Sequence, residues 1–182
     1  MGIKIFLESK LNSKVNRTFV VEKVEKMSGK AATFYTIKFI DRKVSELEDF
    51  VLTYRGDYHS EVAEIITTID LMAHKFGARQ HFFKVGEGRA GDDVCALYDT
   101  KGSKLRMYCI RYVNLAVVLG NGGHKPKTIR TLQQDKRLTL TNADVRTISK
   151  LIDERMRDRE IRWNGNDLVG NLRFEFDDDE ED

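Results

Sequence analysis

Cysteine is scarce in this chain of 182 residues. Only Cys95 and Cys109 are present, and both lie inside apolar stretches. Two thiols cannot build the framework of a disulfide-rich secreted protein, nor can they supply a four-cysteine zinc site. Hydrophobic residues make up 41% of the chain, which is enough to bury a core without crosslinks. The composition therefore predicts one domain in a reducing compartment, the cytoplasm.

Long hydrophobic runs are also missing. The apolar run within residues 1–8 is too short and too interrupted for a signal peptide. No later stretch approaches the roughly 20 apolar residues that a membrane-spanning helix needs. We expect a protein that has no membrane partner.

Patterns that bind metals or cofactors are absent as well. The histidines at 59, 74, 81 and 124 show no ligand spacing, and none is paired at i, i+4 beside a glutamate. Residues 86–91 match GxGxxG, but a dinucleotide loop must open a helix, and the alternating pattern that follows predicts a strand. We therefore expect neither metal nor cofactor, and we interpret residues 86–91 as a flexible loop. Lys84 and Arg89 beside and within this loop can still contact a phosphate backbone.

Charge is unevenly distributed along the chain. The formal net charge is +2, yet residues 75–137 carry 13 Lys and Arg against 5 acids, and residues 177–182 are all acidic. A basic centre favours a polyanionic partner, although such mixed segments are more often an ordinary solvated surface.

Hydrophobic periodicity predicts an α+β fold. Alternation at residues 3–5, 19–24 and 34–40 predicts short strands, and apolar residues at helical spacing then predict a helical hairpin over residues 45–77. Ser45 and Glu48 have the form of a capping box, and Gly77 is placed to end the second helix.

A second alternating region predicts an antiparallel meander. Its strands are residues 94–98, 105–112 and 115–119, followed by a glycine-rich turn at 120–123 and a helix capped at 141–144. The resulting organisation is a β-rich N-terminal extension (1–42), an α+β core (43–160) and a C-terminal segment (161–182). Residues 177–182 are predicted to be disordered.

A group of cationic and aromatic side chains lies on and after the middle strand of this meander. Alternation places Arg106, Tyr108 and Tyr112 on one face, with Leu105, Cys109 and Arg111 on the other, so a structural role is favoured for Arg111. Cations hold phosphates and tyrosine rings stack on unpaired bases, a combination that suits single-stranded RNA. The alternative is a half-buried strand whose Arg and Tyr side chains cover the sheet. The remaining candidates for RNA contact are Lys84, Arg89, Lys127 and Arg130.

His124 follows the glycine-rich residues and precedes Lys125. A histidine in this position can act as a general acid or base. The alternative is an exposed loop histidine without catalytic function.

Residues 94–98, 104–108 and 116–125 together resemble the β-meander of the RelE/HigB toxin superfamily, and the resemblance extends over about 61–156. It implies a small antiparallel sheet flanked by helices, RelE-like in architecture, and in many members cleavage of mRNA at the ribosome without a metal. An antitoxin protein is the partner that such a toxin implies. Arg106 matches the strand arginine that holds phosphate near the scissile bond, and Lys125 or Lys127 matches the basic residues after the next strand.

The resemblance predicts a metal-independent endoribonuclease. Arg106 and Lys125 would stabilise the developing negative charge, and His124 or Tyr108 would move the proton. Two alternatives stay open: a non-catalytic module that binds nucleic acid or protein, and a small regulatory domain whose acidic tail competes with nucleic acid.

Overall fold

The structure, a computed structural model, describes residues 15–88, 93–97, 99–125 and 132–178. Within these residues nine strands form a seven-stranded sheet, in the order β3-β4-β5-β6-β2-β1-β9, and a separate hairpin, β7-β8. Neighbouring strands are antiparallel except β2 and β6, which are parallel. The strands are β1 (Val15–Lys23), β2 (Thr33–Phe39), β3 (Phe83–Val85), β4 (Val94–Leu97), β5 (Leu105–Tyr112), β6 (Ala116–His124), β7 (Ile161–Asn164), β8 (Asp167–Gly170) and β9 (Arg173–Asp178).

Three α-helices lie in the described part of the chain: α1 (Glu46–Tyr54), α2 (His59–Leu71) and α3 (Leu132–Arg157). The predicted capping box starts α1, because the Glu48 amide donates to Ser45 Oγ at 3.3 Å while Glu48 Oε2 accepts from the Ser45 amide at 2.8 Å. A π-helical turn, Met72–Phe76, prolongs α2. Gly77 ends it with φ 72°, the left-handed conformation that favours glycine.

Helices cover both faces of the sheet. The alternation predicted for β5 is confirmed: Leu105, Met107 and Cys109 are buried in a cluster with α1 and α2. Tyr108, Ile110 and Tyr112 are buried on the other face, in a cluster with α3 and the β7-β8 hairpin. The chain is therefore an α+β protein with a sheet flanked by helices, and the sheet is larger than the small one expected.

The sheet crosses the boundaries predicted near residues 42 and 160. β2 lies between β6 and β1, and β9 pairs with β1 along its length. Phe19 of β1 stacks on Phe174 of β9, with ring centroids 4.8 Å apart. The N-terminal and C-terminal segments therefore supply three of the seven strands, β2, β1 and β9.

Disorder was predicted for residues 177–182 and is wrong for Asp177 and Asp178, which lie in β9 opposite Asn16 and Val15. Six consecutive acids dominated the prediction, whereas β1 supplies a backbone partner for the strand and Phe174 anchors it in the core. Residues 179–182 and the strand predicted at residues 3–5 lie outside the described residues.

The glycine-rich turn predicted at residues 120–123 is wrong, because β6 continues through it to His124. A Cβ on Gly122 would lie 1.9 Å from the Arg106 carbonyl oxygen, and one on Gly120 would lie 2.7 Å from a methyl of Val145. These glycines let β5 and α3 approach the β6 backbone closely. His124 therefore ends a strand and does not lie in a loop.

The helix predicted to be capped at residues 141–144 begins earlier, and α3 already includes Leu132. Leu138 is buried with Val145, Ile148 and Ile152, so the apolar stripe extends about two turns further back than the sequence prediction placed it. Asp144 lies inside the helix and accepts two hydrogen bonds from the Arg17 guanidinium, at 2.7 and 2.9 Å.

Candidate nucleic-acid interface

Three of the predicted basic residues, Lys84, Arg106 and Lys125, lie at one end of the sheet. In the β5-β6 ladder Leu105 lies opposite His124 and Arg106 opposite Gly123. The Lys125 amide continues the ladder by donating to the Lys104 carbonyl at 2.8 Å. Antiparallel pairing therefore brings the start of β5 and the end of β6 together.

Arg106 is held on the α3 side of the sheet, with a side chain that is 19% exposed. Its Nη1 lies 3.1 Å from Glu87 Oε2. The Glu87 carbonyl accepts a hydrogen bond from Asn142 of α3 at 2.8 Å. The loop after β3 therefore folds over this face and places a carboxylate on the arginine.

Asp99 joins two of the predicted lysines. Its carboxylate pairs with Lys84 Nζ at 2.5 Å and also with Lys125 Nζ. Burial alone would raise the pKa of Asp99, but the two ammonium groups outweigh it and hold the pKa below its ordinary value. With Arg106 and Glu87 included, three cations face two carboxylates, which leaves one net positive charge at this end of the sheet.

Glu61 of α2 fixes the turn that leads into β5. Its Oε2 accepts hydrogen bonds from Ser103 Oγ at 3.0 Å and from the amides of Lys104 and Leu105 at 2.8 and 3.0 Å. Burial would raise the pKa of Glu61, but these three donors outweigh it and lower that pKa. Glu61 and Asp99 were both missed by the sequence analysis, since no motif links either of them to β5.

His124 packs on the α1 and α2 side, away from Arg106. Its ring makes edge contacts with Tyr54 and Tyr58, at centroid distances of 5.3 and 4.8 Å. Both tyrosines pack in or against the cluster that contains α1 and α2. The four predicted catalytic residues are therefore divided. His124 lies on the α1 and α2 side, and Arg106 and Tyr108 lie on the α3 side. Lys125 follows His124 and forms an ion pair with Asp99.

Tyr108 and Tyr112 are both buried in the structure. They are only 5% and 7% exposed beneath α3, and burial raises the pKa of each phenol. Tyr112 packs against Trp163, with ring centroids 5.5 Å apart, near the opposite end of β5. The base-stacking role of Tyr112 and the proton-transfer role of Tyr108 both need accessible groups, and α3 covers these rings.

The other predicted contacts have different outcomes. Lys84 belongs to the Asp99 ion pairs, whereas Arg89, Lys127 and Arg130 lie outside the described residues. Arg111 donates to the Ala78 carbonyl at 2.7 Å and to Asn114 Oδ1 at 2.9 Å, so the structural interpretation of this residue is confirmed.

Some buried polar atoms at this end of the sheet have no hydrogen-bond partner. Across the described ranges, six buried side-chain nitrogen or oxygen atoms have no hydrogen-bond partner, and Asp99 Oδ2, Arg106 Nε and His124 Nε2 are three of them. Asp99 Oδ2 still has its ion pair with Lys125. Buried polar atoms without partners are uncommon in folded proteins, and each calls for an explanation such as a bound water, an ion or a catalytic role. Arg106 Nε and His124 Nε2 lie on adjoining strand ends, beside the Asp99 ion pairs, which makes this region the candidate site.

Two further findings concern the described residues. They contain no group of three His, Cys, Asp or Glu side chains that could hold a metal ion, and none of their helices is long and apolar enough to cross a membrane.

Comparisons with protein-family models, with curated proteins and with solved structures found no match to this chain.

Proposed function

We propose that the protein is a RelE/HigB-like endoribonuclease that cleaves single-stranded RNA, mRNA above all, at the end of the sheet where Arg106 and Lys125 lie. One observation carries the proposal: Arg106, Lys84 and Lys125 converge on neighbouring strand ends where Arg106 Nε and His124 Nε2 are buried without a hydrogen-bond partner. The meander on which the sequence resemblance rests also forms a contiguous unit, β4-β5-β6.

The reaction uses the RNA's own 2′-hydroxyl as the nucleophile. The 2′-oxygen bonds to the adjacent phosphorus while the bond from phosphorus to the 5′-oxygen breaks. One proton leaves the 2′-hydroxyl and one joins the departing 5′-oxygen. The products are a 2′,3′-cyclic phosphate and a 5′-hydroxyl, and no oxidant, reductant or metal enters this balance.

Arg106 and Lys125 stabilise the charge that grows on the phosphate oxygens. Hydrogen-bond donors aimed at such developing charge contribute most when they are fixed in advance, and Arg106 is held by Glu87. A phosphate diester carries the same single charge as the Glu87 carboxylate. Bound RNA would therefore replace Glu87 at the guanidinium.

His124 is the proton carrier in this proposal. It is half-buried at the end of β6, and its ring is oriented by the edges of Tyr54 and Tyr58. Tyr108, the alternative carrier, is buried and has a raised pKa, which makes its phenol a poor base near neutral pH.

Cleavage of a labelled single-stranded RNA by the purified protein tests the proposal, in excess EDTA for the free RNA and separately in magnesium buffer for RNA on ribosomes. We expect products with cyclic phosphate ends, and we expect Arg106→Ala to slow their formation about 100- to 1,000-fold, the loss typical of one charge-stabilising donor. Arg162→Ala is the matched control because Arg162 is exposed on β7. Activity that survives in folded Arg106→Ala would remove this arginine from the site.

A non-catalytic RNA-binding module is the second candidate. It is favoured by the separation of His124 from Arg106 and by the carboxylates that occupy the cations in the free protein. RNA that is bound by the wild-type protein but stays intact, both free and on ribosomes, would select this candidate.

A further inference from the structure

The structure brings a different tyrosine to the candidate site from those that the sequence analysis chose. Tyr58 lies between α1 and α2, where its amide donates to the Tyr54 carbonyl at 2.9 Å and its carbonyl accepts from the Val62 amide at 3.0 Å. These bonds fix the backbone from which the Tyr58 ring projects.

The Tyr58 ring lies beside two residues of the strand ends. Its centroid is 4.8 Å from that of His124, and Lys104 Nζ lies 5.8 Å from it. Lys104 is exposed and pairs through its carbonyl with the amide of Lys125. A cation, an imidazole and an aromatic ring are therefore adjacent to a residue of the proposed phosphate site.

Tyr58 differs from its neighbour Tyr54 in exposure. Tyr54 is 5% exposed and belongs to the core, whereas Tyr58 is only half-buried and packs at the margin of the same cluster. Part of the Tyr58 side chain is accessible to a ligand. Proteins that bind single-stranded nucleic acid combine cations along the backbone with rings on which bases stack.

We propose that Tyr58 is the base-stacking residue of the RNA site and that it binds the nucleobase next to the phosphate held by Lys125. This inference rests on the proposed function and extends it by naming the base subsite. A base on Tyr58 lies next to His124, so the same contact brings its ribose towards the imidazole. Stacking is insensitive to base identity, since every base has an aromatic face.

Binding of two short RNAs tests this role. Both are fluorescent six-nucleotide strands made uncleavable by 2′-fluoro groups and equal in phosphate number; one carries bases and the other is abasic throughout. Wild-type protein should bind the base-containing strand about 5- to 150-fold more tightly, the range expected for one stacked base. In Tyr58→Leu this ratio should fall close to 1 while affinity for the abasic strand is kept.

Three comparisons make the outcome decisive. Tyr58→Trp keeps a stacking surface and should retain the ratio, even if Tyr58→Leu folds poorly. Trp163→Leu removes a half-buried ring near the other end of β5 and should also retain it. If Tyr58→Leu keeps the wild-type affinity ratio, or if the ratio in the wild type is already close to 1, the Tyr58 role alone is overturned. If the wild type binds neither RNA, the proposed function is overturned as well.

Discussion

Replacing Glu87 with glutamine should tighten RNA binding, which is an unusual direction for a substitution inside a binding site. Glu87→Gln removes the charge that competes with phosphate for Arg106 and keeps nearly the same shape. Arg106 Nη1 and Glu87 Oε2 are 3.1 Å apart, and the two side chains are 19% and 20% exposed. Such a pair is less screened than one on the open surface, yet it is still in contact with solvent.

The energy of the interaction between Arg106 and Glu87 depends on this exposure. Two unit charges about 4 Å apart near a protein surface interact by about 4 kcal/mol, while measured exposed pairs contribute about 0.2–1 kcal/mol after desolvation and side-chain ordering. We take about 1–2 kcal/mol for Arg106 and Glu87, which corresponds to roughly 5- to 30-fold in Kd.

Fluorescence anisotropy with a single-stranded RNA measures this change in Kd. A salt concentration of about 0.1 M is chosen because it screens exposed charges more than about 10 Å from the RNA. Glu22→Gln is the matched control, because Glu22 is exposed on β1 and its loss changes the net charge equally. Equal affinities for the two variants would refute competition between Glu87 and phosphate.

Two other substitutions probe the same end of the sheet. Lys125→Ala should lower the slope of log affinity against log salt by about 0.7, the value for one phosphate contact on a single strand, and an unchanged slope would place Lys125 away from the backbone. Glu61→Gln should reduce the free energy of unfolding at pH 7 by about 1–2 kcal/mol, since a charged acceptor of three hydrogen bonds becomes neutral. Because the pKa of Glu61 is lowered from 4.5 in the folded protein, its contribution is present above that pH and is lost as the pH falls through the folded value. Urea unfolding at several pH values should show the wild type approaching Glu61→Gln in acid, and a constant difference between them would contradict this origin.

Local patterns predicted the parts of the fold that depend on neighbouring residues. The alternation of β5, the capping box at Ser45 and the stop at Gly77 are each determined within about one turn or one strand, and each is confirmed. The location of Arg106 on the face opposite Leu105 followed from the same alternation.

Long-range partners determined what the sequence could not show. β9 is a strand because β1 lies beside it, about 150 residues earlier in the chain. The glycines of β6 have the composition of a turn, but they are in a strand because α3 and β5 pack too closely against its backbone for larger side chains. The RNA-contact role proposed for Tyr108 and Tyr112 needs accessible rings, and nothing in the sequence indicated that α3 covers their face.

The candidate site also combines residues that the sequence indicated with partners that only the fold brings near. Arg106, Lys84 and Lys125 could be chosen from charge and order along the chain. Asp99 and Glu87, which neutralise them, are separated from their partners by turns and loops, and a carboxylate in such a segment looks like any solvated residue.

Titration of ¹⁵N-labelled protein with a short, uncleavable single-stranded RNA locates the RNA site, because backbone amide shifts report where the RNA contacts the chain. We expect the largest shifts at residues 84–87, 104–106 and 123–125, the segments that carry the cations and the Glu87 carboxylate. Arg106→Ala should weaken the titration without changing the spectrum elsewhere. Shifts confined to other parts of the sheet, or none at millimolar RNA, would contradict the assignment of this end of the sheet as an RNA site.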